Sequence, residues 1–100
     1  MKSVVIGGDI YAFRYAFQHD LPLIYVEAKK PHRHSGSQQA EWHHLYWCLS
    51  IAGKVKFASF VSSVVVNSEE GSAKIIYNNR SKIIQGIEKF YIFDETGISG

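Results

Sequence analysis

The sequence predicts an α/β domain that opens with a strand–helix–strand unit, continues through a second helix and closes in an antiparallel β-meander. Three observations carry this reading. Two short apolar runs, residues 3–6 and 23–26, flank a glycine turn and a stretch able to coil. Residues 38–52 repeat their apolar side chains at helical spacing. From Lys54 onward the period shortens, and apolar runs alternate with polar turns. A chain of 100 residues suffices for one small domain, so 1–100 is read as a single unit.

Ser3, Val4, Val5 and Ile6 form a β-branched run that Gly7 and Gly8 break. A parallel strand covered on both faces reads as such a continuous run. Residues 10–18 satisfy two periods. Ile10, Phe13 and Phe17 share a helical face, yet Tyr11, Phe13, Tyr15 and Phe17 alternate as in a strand. Asp9 suits a helix N-cap, and Ala12, Arg14, Ala16 and Gln18 are good helix formers. Pro22 pushes Leu21 out of helical geometry and closes the element. Residues 29–37 are basic and polar and read as a loop. Trp42, Leu45, Tyr46, Leu49 and Ala52 line one face of the second helix, with Gly53 placed to end it. Val55, Phe57 and Phe60 lead into strand 61–67, a turn at 68–72, strand 73–77, a turn at 78–81, and runs 83–87 and 89–93. These read as the meander, whose exposed edge over 83–93 offers a pairing surface to a partner protein or a second copy.

Composition narrows the function. A hydrophobic content of 46% with 14% aromatics suits a packed core and excludes disorder. A net charge of +2 implies no strong attraction to polyanions. Cys48 is the single cysteine, which excludes an intrachain disulfide and fits a reducing, cytoplasmic setting. It reads as a small buried hydrophobe. No apolar run approaches the ~18 residues that span a membrane, and Asp9 and Arg14 interrupt any signal-peptide pattern. His32 and His34 form an H-x-H pair. Adjacent His43 and His44 point about 100° apart on a helix, and Cys48 follows His44 by four residues on the same face. The histidines are read as solvent-exposed, and no metal site is assigned to them.

The segment Val4-Val5-Ile6-Gly7-Gly8-Asp9-Ile10-Tyr11-Ala12 resembles the G-x-G-x-x-G/A fingerprint of Rossmann-type proteins. Gly7 takes the first glycine position and Ala12 the third, while Glu27 lies twenty residues after Gly7, where an acid meets the ribose hydroxyl. Ala52-Gly53-Lys54-Val55, the run 61–66 and Tyr91-Ile92-Phe93-Asp94-Glu95-Thr96-Gly97 continue the likeness. They are similar to the FAD-binding oxidoreductases related to glutathione reductase and amine oxidases. The resemblance implies a Rossmann-like βαβ start, binding of an adenine dinucleotide (FAD or NAD), and an oxidoreductase-like setting. Gly7, Gly8, Asp9, Ala12, Glu27, Thr96 and Gly97 are its cofactor-binding positions, with no catalytic residue among them. Asp9 stands where the fingerprint has its second glycine, and its side chain and charge oppose phosphate. The length leaves no room for a substrate domain. The chain is therefore expected to be the N-terminal part, or a reduced version, of a larger nucleotide-binding fold.

Two other functions fit parts of the chain. The segment 23–31, with Glu27-Ala28-Lys29, resembles the E-x-K strand of PD-(D/E)-x-K nucleases, and Gln39 and Trp42 match their Q-x-x-W pattern. That resemblance implies Mg²⁺ held by Asp9 and Glu27, with Lys29 orienting the attacking water and Lys30 and Arg33 along nucleic acid. The second is a non-catalytic protein-binding module with an uncovered apolar patch. Residues 10–18 separate the first two. As a helix they leave Asp9 at a phosphate-type turn; as a strand hairpinned to 23–29 they bring Asp9 to Glu27.

Overall fold

A computed structural model describes residues 2–27, 35–57, 61–93 and 97–100. In chain order these form β1 (Ser3–Gly7), α1 (Ile10–Gln18), β2 (Leu23–Tyr25), α2 (Gly36–Ile51), β3 (Val55–Lys56), β4 (Val61–Asn67), β5 (Ser72–Tyr77), β6 (Arg80–Ile84), β7 (Lys89–Ile92) and β8 (Ile98–Ser99). One sheet is parallel throughout, with strand order β3-β2-β1-β7. The other has order β6-β5-β4-β8, antiparallel across β4, β5 and β6 and parallel where β8 joins β4. The expected α/β architecture is present.

Alternation along β1 explains the layering. Val4 and Ile6 face the second sheet and pack with Ile24, Val26, Val61, Val64, Val66, Ala73, Ile75 and Ile87. Val5 faces the other way and packs with Leu23 under Ala12, Phe13 and Ala16 of α1 and Leu45 and Leu49 of α2. The layers are therefore helices, parallel sheet, meander. Strand β1 is covered on both faces, as its unbroken apolar run requires. In β4 the buried residues are Val61, Val64 and Val66, a phase change produced by the bulge between Val61 and Ser63.

Residues 10–18 are helical, so the strand alternative is not realised. Their alternation arises from aromatic residues distributed around the helix: Phe13 lies inside, while Tyr11 and Phe17 are exposed. The second helix starts at Gly36, two residues earlier than its periodicity indicated. Ser35 Oγ accepts from the Gln38 amide at 3.2 Å and Gln38 Oε1 accepts from the Ser35 amide at 3.0 Å, a capping box that recruits the end of the loop. The helix ends at Ile51, with Gly53 just beyond.

The last two runs require correction. Strand β6 begins at Arg80, because Asn78 and Asn79 both take positive φ (47° and 58°) and make a two-residue hairpin turn. Lys89–Ile92 is not a meander strand: it pairs in parallel with β1, Val4 beside Phe90 and Val5 beside Tyr91. Phe90 packs into one core and Tyr91 into the other. A strand with apolar residues on both faces is satisfied in the middle layer, not on a meander whose outer face meets solvent. The edge expected over 83–93 is thus two edges, β6 on one sheet and β7 on the other. Among the described residues no helix is long and apolar enough to cross a membrane.

Phe13, inaccessible to solvent between α2 and the sheet, is the sensitive point of the helical layer. Phe13→Ala is expected to cost about 3–5 kcal/mol in urea denaturation. Ile83→Ala, at a site 60% exposed, is expected to stay within about 0.5 kcal/mol of the parent.

Candidate functional site

The carboxyl end of β1 runs directly into the Gly7-Gly8 turn and the start of α1. Asp9 has extended backbone (φ −103°, ψ 174°) and caps the helix, its Oδ1 accepting from the Ala12 amide at 2.8 Å. The carboxylate is buried, 6% exposed, at the positive end of the helix. No Cβ fits on Gly7: it would lie 2.7 Å from the Phe93 carbonyl oxygen, 3.0 Å from Ala12 Cβ and 3.1 Å from Phe93 Cβ. Three elements therefore meet at one glycine. The Val26 amide donates to Gly7 O at 3.2 Å and the Phe93 amide to Ile6 O at 2.8 Å. These bonds draw the carboxyl ends of β1, β2 and β7 together.

This is where the strand order reverses. The chain leaves β1 through α1 to β2 on one side, while β7 lies on the other. In open α/β sheets the crevice beyond the strand ends at such a point is the usual ligand position. Glu27 follows β2 by two residues and is exposed. Tyr25, half-buried before it, has its phenol pushed up from the ordinary range by burial first, then by the charges of Glu27 and Tyr46. Gly97 takes φ +84°, and a Cβ there would stand 2.9 Å from Ser62 O and 3.6 Å from Val26 Cγ1. It is thereby seated beside the residue that precedes Glu27. Gly7, Gly8, Asp9, Ala12, Glu27 and Gly97 thus lie at or next to the carboxyl end of the parallel sheet. Thr96, Lys29, Lys30, His32, Arg33 and His34 lie outside the described residues.

Two residues named for other reasons, Trp42 and Phe93, prove to contact the turn. Trp42 Nε1 donates to Gly8 O at 3.2 Å, fastening α2 over the turn. Its ring stacks on Phe13 (centroids 5.0 Å) and on Tyr46 (5.8 Å). Phe93 supplies the wall against Gly7. Its position at the end of an apolar run was visible, but not its neighbour. Arg14 and Glu41 also bind α1 to α2 through a bidentate pair, Nε to Oε2 at 2.7 Å and Nη2 to Oε1 at 2.8 Å. The hydrogen bond to Arg14 lowers the Glu41 carboxyl and raises the guanidinium in turn. Among the described residues no three His, Cys, Asp or Glu side chains assemble as a metal-binding group. Comparison of the chain with protein-family models, with curated proteins and with solved structures finds no match.

Gly7→Ala is expected to cost about 1–3 kcal/mol, since the methyl meets backbone that cannot yield; equilibrium unfolding measures it. The Glu41 pair has a definite pH signature. A carboxyl lowered in the folded state stabilises above its unfolded value and loses that contribution as pH falls through the folded one. Thermal midpoints of the parent and Glu41→Gln should therefore differ at pH 7 and converge below the usual carboxylate range.

Proposed function

We propose that this chain is a degenerate adenine-dinucleotide-binding domain of the FAD/NAD type. The observation that carries this is the glycine turn at the strand-order reversal, with a helix start on one side and Glu27 past the neighbouring strand on the other. The residues fit such a ligand in part. Gly7 and Ala12 have the small size that close strand–helix packing needs, and Glu27 is free of steric cover to accept from a ribose hydroxyl.

Asp9 does not fit. At ~4 Å two like charges repel by about 4 kcal/mol at the effective dielectric of a protein surface. A helix N-terminus attracts an anion by about 0.3–1 kcal/mol. Repulsion outweighs attraction, and the carboxylate already occupies the Ala12 amide that a phosphate oxygen would use. The adenosine half is therefore the part held, the pyrophosphate seat is weakened, and no redox step is assigned to these residues. The nuclease reading is the weaker one, because Asp9 is turned into its own helix and residues 10–18 are not a hairpin strand.

Calorimetric titration with ADP-ribose, NAD and FAD tests this. Glycine caps a helix almost as well as aspartate, so Asp9→Gly removes the charge and keeps the helix. Asp9→Gly is expected to bind at least about tenfold more tightly than the parent, which corresponds to about 1.4 kcal/mol, and Glu27→Ala about tenfold more weakly. If neither the parent nor Asp9→Gly binds any of the three at millimolar concentration, the proposal is wrong.

A further inference from the structure

Helix α2 is apolar on two opposite faces. Trp42, Leu45, Tyr46 and Leu49 face the core. On the outer side Trp47 is 60% and Ile51 68% exposed. Ala40, His44, Trp47 and Ile51 form this outer stripe with spacings of four, three and four residues, the pattern of a helix–helix seam. Glu41 is the helix's one Asp, Glu, Lys or Arg, and Arg14 on α1 neutralises it. Two such faces can meet without like-charge repulsion.

Beside the stripe, His44 Nε2 stands 3.6 Å from Cys48 Sγ. Zinc binds imidazole nitrogen at about 2.0–2.1 Å and thiolate sulfur at about 2.3 Å, so tetrahedral angles set the two ligand atoms about 3.5–3.6 Å apart. The pair is already at the bite distance of that ion. We propose that His44 and Cys48 are half of a tetrahedral zinc site, completed by the same pair of a second copy of this chain docked along the outer face of α2.

Ligand number selects the occupant. A closed zinc site needs four ligands, and no third His, Cys, Asp or Glu joins the pair among the described residues. A two-fold contact sets one patch against itself, and so supplies two nitrogens and two sulfurs. That set favours zinc over the hard cations, which prefer oxygen. Each thiol binds as thiolate and gives its proton to solvent, while each imidazole binds neutral. The two thiolate charges cancel that of Zn²⁺, leaving a neutral centre suited to an apolar seam between Trp47 and Ile51 of both copies.

The test is sedimentation velocity on the full chain, stripped with chelator, kept reduced with a phosphine, and titrated with zinc chloride. The expected result is a monomer that becomes a dimer at one zinc per two chains. His44→Ala and Cys48→Ala should each weaken the zinc response at least tenfold, and His43→Ala should leave it unchanged. Both alanines occupy exposed or half-exposed helical positions, so circular dichroism should report a folded chain. Cobalt in place of zinc should give the visible bands of a tetrahedral ion with thiolate charge transfer, independently of any mass measurement. The proposal is overturned by one zinc per single chain, by a zinc response surviving both alanines, or by no zinc-dependent association. A dimer that forms only on oxidation and is dissolved by the phosphine would mean a Cys48 disulfide instead, and would overturn it too.

Discussion

Burial of β1 on both faces is the constraint from which the architecture follows. Val4 and Ile6 need one apolar layer and Val5 another, and each is wholly inaccessible. A shift of one residue in the pairing with β2 or β7 would exchange the two sets. The helices cover one side. The other can be covered only by later chain, and β4, β5 and the residues around Ile87 do so. The bulge in β4 serves the same end, since it returns Val61 to the inner face alongside Val64 and Val66.

The site inherits its geometry from this packing. A helix of nine residues such as α1 has little stability of its own. It is held by Phe13 and Ala16 against the sheet, by Arg14 against Glu41, and by the Asp9 cap. Trp42 then ties α2 to the Gly8 carbonyl, so the turn is braced from the strand, from its own helix and from the neighbouring helix. On the proposed reading, Asp9 trades binding for stability. A carboxylate at this corner satisfies the helix permanently, whereas a glycine would leave the same amide to a ligand.

The two elements with apolar residues on opposite sides differ in how they are completed. For β1 both sides are covered within the chain. For α2 only the inner side is covered by the described residues, and Trp47 and Ile51 remain exposed beside the His44–Cys48 pair. Between these two stripes α2 carries polar side chains, Gln39, Glu41 and His43 among them. The outer stripe of α2 is thus an apolar surface that the described residues leave open, as they do not for β1.

Much of this was legible in the residues. The runs at 3–6 and 23–26, the spacing of Trp42, Leu45, Tyr46 and Leu49, and the strand–turn alternation from Val61 to Tyr77 each record burial at a local period, and each became the expected element. Gly7, Asp9 and Glu27 were singled out by resemblance to known fingerprints, and they lie at the end of β1, at the start of α1 and just past β2. Other features were not legible. The period of residues 10–18 fitted both helix and strand, with the Asp9 cap and the helix formers favouring helix. Parallel pairing of β1 with β2, which needs a crossover, realises the helix. Lys89–Ile92 carried a strand pattern without saying which sheet it joined, and the partner proved to be β1, more than eighty residues earlier. Neither the wall that Phe93 raises against Gly7 nor the bond from Trp42 to Gly8 has a local signature. Periodicity reports that a side chain is buried; which residues bury it depends on non-local packing, and only the tertiary structure supplies that.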